Sequence, residues 1–137
     1  MTAQIVYQGD LRTEAIHIMS GNSIITDAPI DNEGKGETFS PTDLVATAHA
    51  SCMLTIMGIA AQKRSIEIEG TKVEMTKIMA SNPRRIAEIQ IQIIFPNDQY
   101  SDQQRKILEN AAITCPVSKS LHPDLLQNIN FIYPNRK

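Results

Sequence analysis

The chain has 137 residues, and two cysteines, Cys52 and Cys115, carry most of its potential chemistry. A thiolate is a nucleophile, a metal ligand and one half of a disulfide. Cys52 lies in a stretch without charged residues, with His49 three positions before it and Thr55 three after. If that stretch is helical, these polar groups share a side with the sulfur. Cys115 opens the segment Cys115-Pro116-Val117-Ser118. A cysteine just before a helical turn has free backbone N–H groups near its thiolate, which predicts a lowered pKa. Local sequence does not join the two thiols; only the fold can.

Several readings of these residues stand side by side. A free cysteine inside an apolar helix is ordinarily a small, inert core residue. His49 and Cys52 on one helical face, with Cys115 and His122, could ligate zinc, although no CxxC or HxxxH pair is present. A Cys-His-Asp hydrolase using His49 or His122 is a further option, without a local signature. Gly34-Lys35-Gly36 lacks the strand–helix context and spacing of a phosphate loop. The Arg84-Arg85 pair reads as a solvated hairpin tip.

Composition narrows the field. Hydrophobic residues make up 42% of the chain and charged residues 20%, which fits a globular protein and a single domain over residues 1–137. The formal charge of −2 gives no general attraction to nucleic acid or to an anionic membrane. Aromatic residues are 4%, with no Trp, which argues against a base-stacking platform. The opening MTAQIVYQGDLRTEAI has no basic flank leading into an apolar core, so the expected location is cytoplasmic. Two cysteines are too few for a disulfide scaffold.

The elements that must position the thiols follow from periodicity. Alternation around Ile5 and Tyr7, then from Leu11 to Met19, predicts two strands separated by a Gly9-Asp10 turn. Gly21-Asn22 marks a second turn, before a short strand from Ser23 to Thr26. Residues 29–39 are polar and glycine-bearing, which predicts a surface loop. Ser40 then offers an N-cap, Pro41 the first helical position and Asp43 the capping-box acid. No Asp, Glu, Lys or Arg occurs between Asp43 and Lys63. A helix of about 23 residues spans about 35 Å, and one without a charged face must be covered on nearly all sides. Leu44 to Ala61 is long enough to raise the question of a membrane span, but Thr47, His49, Ser51, Cys52 and Thr55 favour a buried helix, and with it a subunit interface.

The rest of the chain reads as strand (71–79), turn (81–83), strand (84–95), helix, and last strand (128–133). Ile89, Ile91, Ile93 and Phe95 face one way, with Glu88, Gln90 and Gln92 opposite. Ser101 and Gln104 cap the helix, and Ile107, Leu108, Ala111 and Ala112 form its apolar stripe. Pro116 stops that helix just after Cys115. This order predicts an α+β fold.

Two segments together resemble the OsmC/Ohr superfamily of thiol peroxidases. SPTDLVATAHASCML, from Ser40 to Leu54, looks like its Pro-led helix with the peroxidatic cysteine. AAITCPVSKSL, from Ala111 to Leu121, is similar to its second cysteine segment. The resemblance implies an α+β OsmC-like fold with antiparallel sheets, a long buried central helix and an intertwined homodimer with active sites at the interface. It also implies that Cys52 is the nucleophile, Cys115 the resolving thiol and Arg12 the arginine beside the substrate. The implied activity is reduction of organic hydroperoxides in oxidative-stress defence. A dithiol or lipoyl-type reductant would regenerate the thiols, with no flavin, haem or metal. Thr42 stands where the family's peroxidases carry the Glu that holds the arginine. Glu37 and Glu33 are the loop carboxylates that could replace it. That departure leaves an alternative: a non-catalytic OsmC-like dimer, stress-associated or binding a small ligand.

Overall fold

A computed structural model describes residues 1–135. The chain runs β1 (Ala3–Gly9), β2 (Arg12–His17), β3 (Ser23–Asp27), a 3-10 turn (Ile30–Asn32), α1 (Pro41–Lys63), β4 (Lys72–Ala80), β5 (Arg85–Ile94), α2 (Asp102–Ile113), α3 (Pro116–Ser120) and β6 (Leu126–Ile132). It divides into two compact units, Met1–Val45 and the residues from Ala46 onward.

The first unit is a three-stranded antiparallel meander in the order β1-β2-β3. Gly9, Asp10 and Leu11 all take positive φ in its first turn; of these only Gly9 does so without steric cost. The Tyr7 hydroxyl accepts the Leu11 N–H at 3.2 Å. The second turn is closed by His17 N–H to Asn22 O and Gly21 N–H to His17 O, both 2.8 Å. The meander places Arg12 directly opposite Asp27. The following loop folds back on itself, with Gly34 N–H on Pro29 O (2.9 Å) and Gly36 N–H on Ala28 O (3.2 Å). Ile5, Val6 and Tyr7 are consecutive and exposed, as are Ile24 and Ile25. Since successive strand residues point to opposite faces, both faces of this sheet carry exposed apolar side chains.

The α1 N-terminus forms the expected reciprocal cap. The Ser40 hydroxyl accepts the Asp43 N–H at 3.1 Å, and the Asp43 carboxylate accepts the Ser40 N–H at 3.0 Å. The helix is long and apolar enough to cross a membrane by length and composition alone. In this fold it buries one face: Ala46, His49, Ala50, Met53, Met57 and Ala61. The opposite face, Ala48, Ser51, Thr55 and Ile59, is exposed and uncharged.

The second unit builds its core on β5. Ile89, Ile91 and Ile93 have no exposure, and Phe95 has 1%, so the predicted alternation defines the buried face. Met53, Met57, Leu108, Ala112 and Cys115 complete the cluster. Phe95 stacks on Tyr133 with centroids 4.4 Å apart, and the Arg105 guanidinium lies 4.1 Å over the same ring. The fold is α+β, but the expectation of wholly antiparallel sheets needs correction. β4 and β5 pair antiparallel, whereas β6 pairs with β5 in parallel. The physical reason is the connection: α2 and α3 carry the chain back along the sheet, so β6 enters in the direction of β5.

Candidate functional site

In the second unit, α1 supplies Cys52 from its flank and the α2–α3 junction supplies Cys115. The capping box predicted for α2 is present: Ser101 Oγ accepts the Gln104 N–H and Gln104 accepts the Ser101 N–H. At its other end, Thr114 Oγ1 bonds Ala111 O and Asn110 O at 3.0 and 3.1 Å. Pro116 then takes the first position of α3, which makes Cys115 the N-cap. Its sulfur accepts the Ser118 N–H at 3.3 Å.

Cys115 is fully buried and Cys52 half-buried, and neither is in a disulfide. The two side chains interact electrostatically. Burial pushes the Cys115 thiol above its ordinary range, the Cys52 contact adds to the rise, and the Ser118 and Val117 N–H groups oppose it. The lowered pKa expected for Cys115 is therefore overturned. The helical N–H groups are in place, but desolvation of a thiolate at this depth costs more than they return. The accessible partner of the pair is Cys52.

The other candidates are sorted by their surroundings. His49 has no exposure, and neither ring nitrogen has a partner among the described residues. Burial lowers its pKa and keeps the imidazole neutral. His122 lies at the surface, where its Nδ1 accepts the Asp124 N–H at 3.0 Å. Neither imidazole thus bonds a thiol, as a Cys-His hydrolase would need. Among the described residues, no three His, Cys, Asp or Glu side chains group as a metal site.

Arg12 lies in the first unit, at the start of β2. Its Nε donates to Asp27 Oδ1 at 2.7 Å and its Nη2 to Asp27 Oδ2 at 2.9 Å. Nη2 also donates to Glu37 Oε2 at 3.2 Å. The bidentate bond to Asp27 is the first cause of a guanidinium pKa raised above its already high value. The same bond, with the Glu37 N–H on Oδ2 at 3.1 Å, holds the Asp27 carboxyl below the usual carboxylate range. Of the loop carboxylates considered from sequence, Glu37 meets the arginine. Asp27 was missed. The Gly21-Asn22 signal does not give it, because the β2–β3 connection is longer than a two-residue turn and Ile16 pairs with Ser23, which sets Asp27 across from Arg12.

A family model for OsmC-like proteins matches residues 34–126, which includes both cysteines. The chain belongs to the OsmC-like family. A crystal structure of a candidate osmotic-stress-induced and detoxification-response protein from Psychrobacter arcticus 273-4 is 56% identical to this OsmC-like chain. The match covers 96% of this chain and 95% of that one, with a TM-score of 0.92. The organic hydroperoxide resistance protein OsmC of Legionella pneumophila is 14% identical over 96% of this chain and 97% of its own, with a TM-score of 0.73. OhrB of Bacillus subtilis, an organic hydroperoxide resistance protein, is 18% identical over 96% and 98%, with a TM-score of 0.69. At those two identities the likeness is one of fold. No curated protein matches the chain.

Proposed function

We propose that this OsmC-like protein is a single-domain, metal-free thiol peroxidase that reduces organic hydroperoxides through Cys52 and Cys115. The observation that carries the reading is a half-buried Cys52 interacting with a buried Cys115 whose sulfur accepts the Ser118 N–H. The Cys52 thiolate attacks the distal oxygen of ROOH, breaking the O–O bond. Cys52 becomes a sulfenic acid, and the alkoxide takes a proton to leave as ROH. The Cys115 thiol then condenses with the sulfenic acid, forming the S–S bond and releasing water. An external dithiol, a lipoyl group being one such carrier, reduces the disulfide by exchange and is itself oxidised. A thiol held protonated until its partner is oxidised suits the resolving role. Arg12 is the donor this reading assigns to the developing alkoxide.

Thr42 in place of the family's Glu points toward a non-catalytic dimer. The double carboxylate support of Arg12 by Asp27 and Glu37 supplies what Thr42 lacks, and this favours the enzyme. The reading includes a homodimer. The exposed apolar side chains of the meander and the uncharged outer face of α1 are surfaces that water covers poorly and a second copy would cover well. It also places the protein in the cytoplasm, where thiols are kept reduced, in defence against oxidative stress.

The test is direct. Reduced protein treated with one equivalent of cumene hydroperoxide should lose both free thiols and yield a Cys52–Cys115 disulfide by peptide mass spectrometry. Retention of both thiols, or peroxide turnover unchanged in Cys52→Ser, overturns the reading.

A further inference from the structure

We propose that Asp27 is the positioning residue of Arg12: a buried carboxylate that fixes the plane and the outward edge of the guanidinium, with Glu37 as a second, releasable holder. This inference rests on the peroxidase reading above, since it assigns Arg12 a reacting oxygen to meet.

The two carboxylates differ in kind. The Asp27 side chain has no exposure, and both of its oxygens are in use, Oδ1 by Nε and Oδ2 by Nη2 and by the Glu37 N–H. Two parallel bonds to a planar fork set its orientation as well as its position. The strand register enforces this, because Arg12 and Asp27 are cross-strand partners. Asp27 is in turn pinned by its own N–H on Phe39 O at 3.1 Å. Glu37 makes one contact at 3.2 Å from a side chain that is 67% exposed, so it can leave at little cost.

The arginine has N–H groups to spare. Nε and Nη2 are occupied, while Nη1 has no partner among the described residues, and the side chain is 27% exposed. The fork Asp27 holds by one edge therefore presents the other, with its donors already aimed. Release of Glu37 frees one more N–H on Nη2. A free arginine would have to order several rotatable bonds in every turnover; one clamped along its inner edge has done so in advance.

The experiment compares Asp27→Asn in two backgrounds. In the otherwise native chain, the second-order rate with cumene hydroperoxide should fall about tenfold or more, because a carboxamide offers one acceptor in place of two. In an Arg12→Ala background the same change should alter the rate by less than about twofold, since its action runs through the arginine. An equal loss in both backgrounds overturns the proposal. The Arg12 Nε–H signal in 15N-edited NMR gives an activity-independent reading. It should be sharp and protected from exchange in the native chain and lost in Asp27→Asn; an unprotected native signal overturns the positioning role. Absence of peroxide turnover in the native chain defeats the peroxidase reading, while the NMR signal still decides the positioning. Should Asp27→Asn fail to fold, Arg12→Lys keeps a charge opposite Asp27 without the fork. It should lose as much rate as Arg12→Ala, and full retention of rate overturns the proposal.

Discussion

The Cys115 sulfur accepts the Ser118 N–H at 3.3 Å, and the Cys52 side chain is a neighbour that helps to raise its pKa. Its thiol pKa is raised, chiefly by burial. Disulfide closure after a peroxide pulse should therefore accelerate with pH, by about tenfold per unit while the thiolate is the minor form. The linked stability has a definite sign. A group whose folded pKa lies above its unfolded value contributes stability that is present below the unfolded pKa and lost as pH rises toward the folded one. The reduced protein should thus weaken in mild alkali, and Cys115→Ser should lose that dependence; urea titrations across the alkaline range check it.

Asp27 titrates with the opposite sense. Its folded pKa is lowered, first by the Arg12 bond, so its contribution is present above the ordinary carboxylate pKa and is lost as pH falls through the folded value. Thermal melts from neutral to strongly acid pH should show a loss of Tm that Asp27→Asn removes. An unchanged acid limb in that variant would contradict the assignment.

His49 is a cost to the fold. Both ring nitrogens are buried without partners, and each such group costs about 1–3 kcal/mol. Its lowered pKa gives stability present above the ordinary His value and lost as pH falls through the folded one. His49→Leu should stabilise the protein by about 1 kcal/mol or more and flatten stability between about pH 7 and about pH 5. Chemical denaturation at the two pH values reads both effects.

Gly34 packs against the backbone of Ala28 so closely that a Cβ there would overlap the carbonyl group. Gly34→Ala should force the 28–39 loop open, lowering stability by about 2 kcal/mol or more. It should also release Glu37 from its bonds to Arg12 and Asp27. The loop amides would lose hydrogen-exchange protection before those of β5.

The uncharged outer face of α1 is the place to test assembly. Thr55 is exposed on that face, and an arginine there would bury a charge wherever two copies meet. Thr55→Arg should convert a dimer to monomer in multi-angle light scattering, with the helix content unchanged in circular dichroism.

What sequence made visible was whatever depends on neighbours along the chain. The α1 cap could be read from Ser40, Pro41 and Asp43, the β5 face from the alternation of Ile89, Ile91 and Ile93, and the Cys115 cap from Pro116. Features set by distant partners were not visible in the same way. Cys115 carries the expected N–H bonds, yet its pKa moves upward, because local spacing says nothing about how deeply α2 and β5 bury it. The Arg12–Asp27 pairing was hidden too, because the β2–β3 connection extends beyond the Gly21-Asn22 signal and shifts the register that a tight turn there would set. The parallel pairing of β6 follows from the path of α2 and α3, which periodicity within β6 does not encode.

The N-cap seat of Cys115 has a mechanical consequence for the proposed cycle. A bond to Cys52 would staple the middle of α1 to the α2–α3 junction, closing a loop that contains β4, β5 and α2. In the chain-entropy picture a cross-link over such a span removes about 4 kcal/mol of freedom from the unfolded chain. The oxidised intermediate would then be the hardest form of the protein to pull apart or digest. Each reduction would return the molecule to a looser resting state, so that resistance to proteolysis rises and falls with turnover.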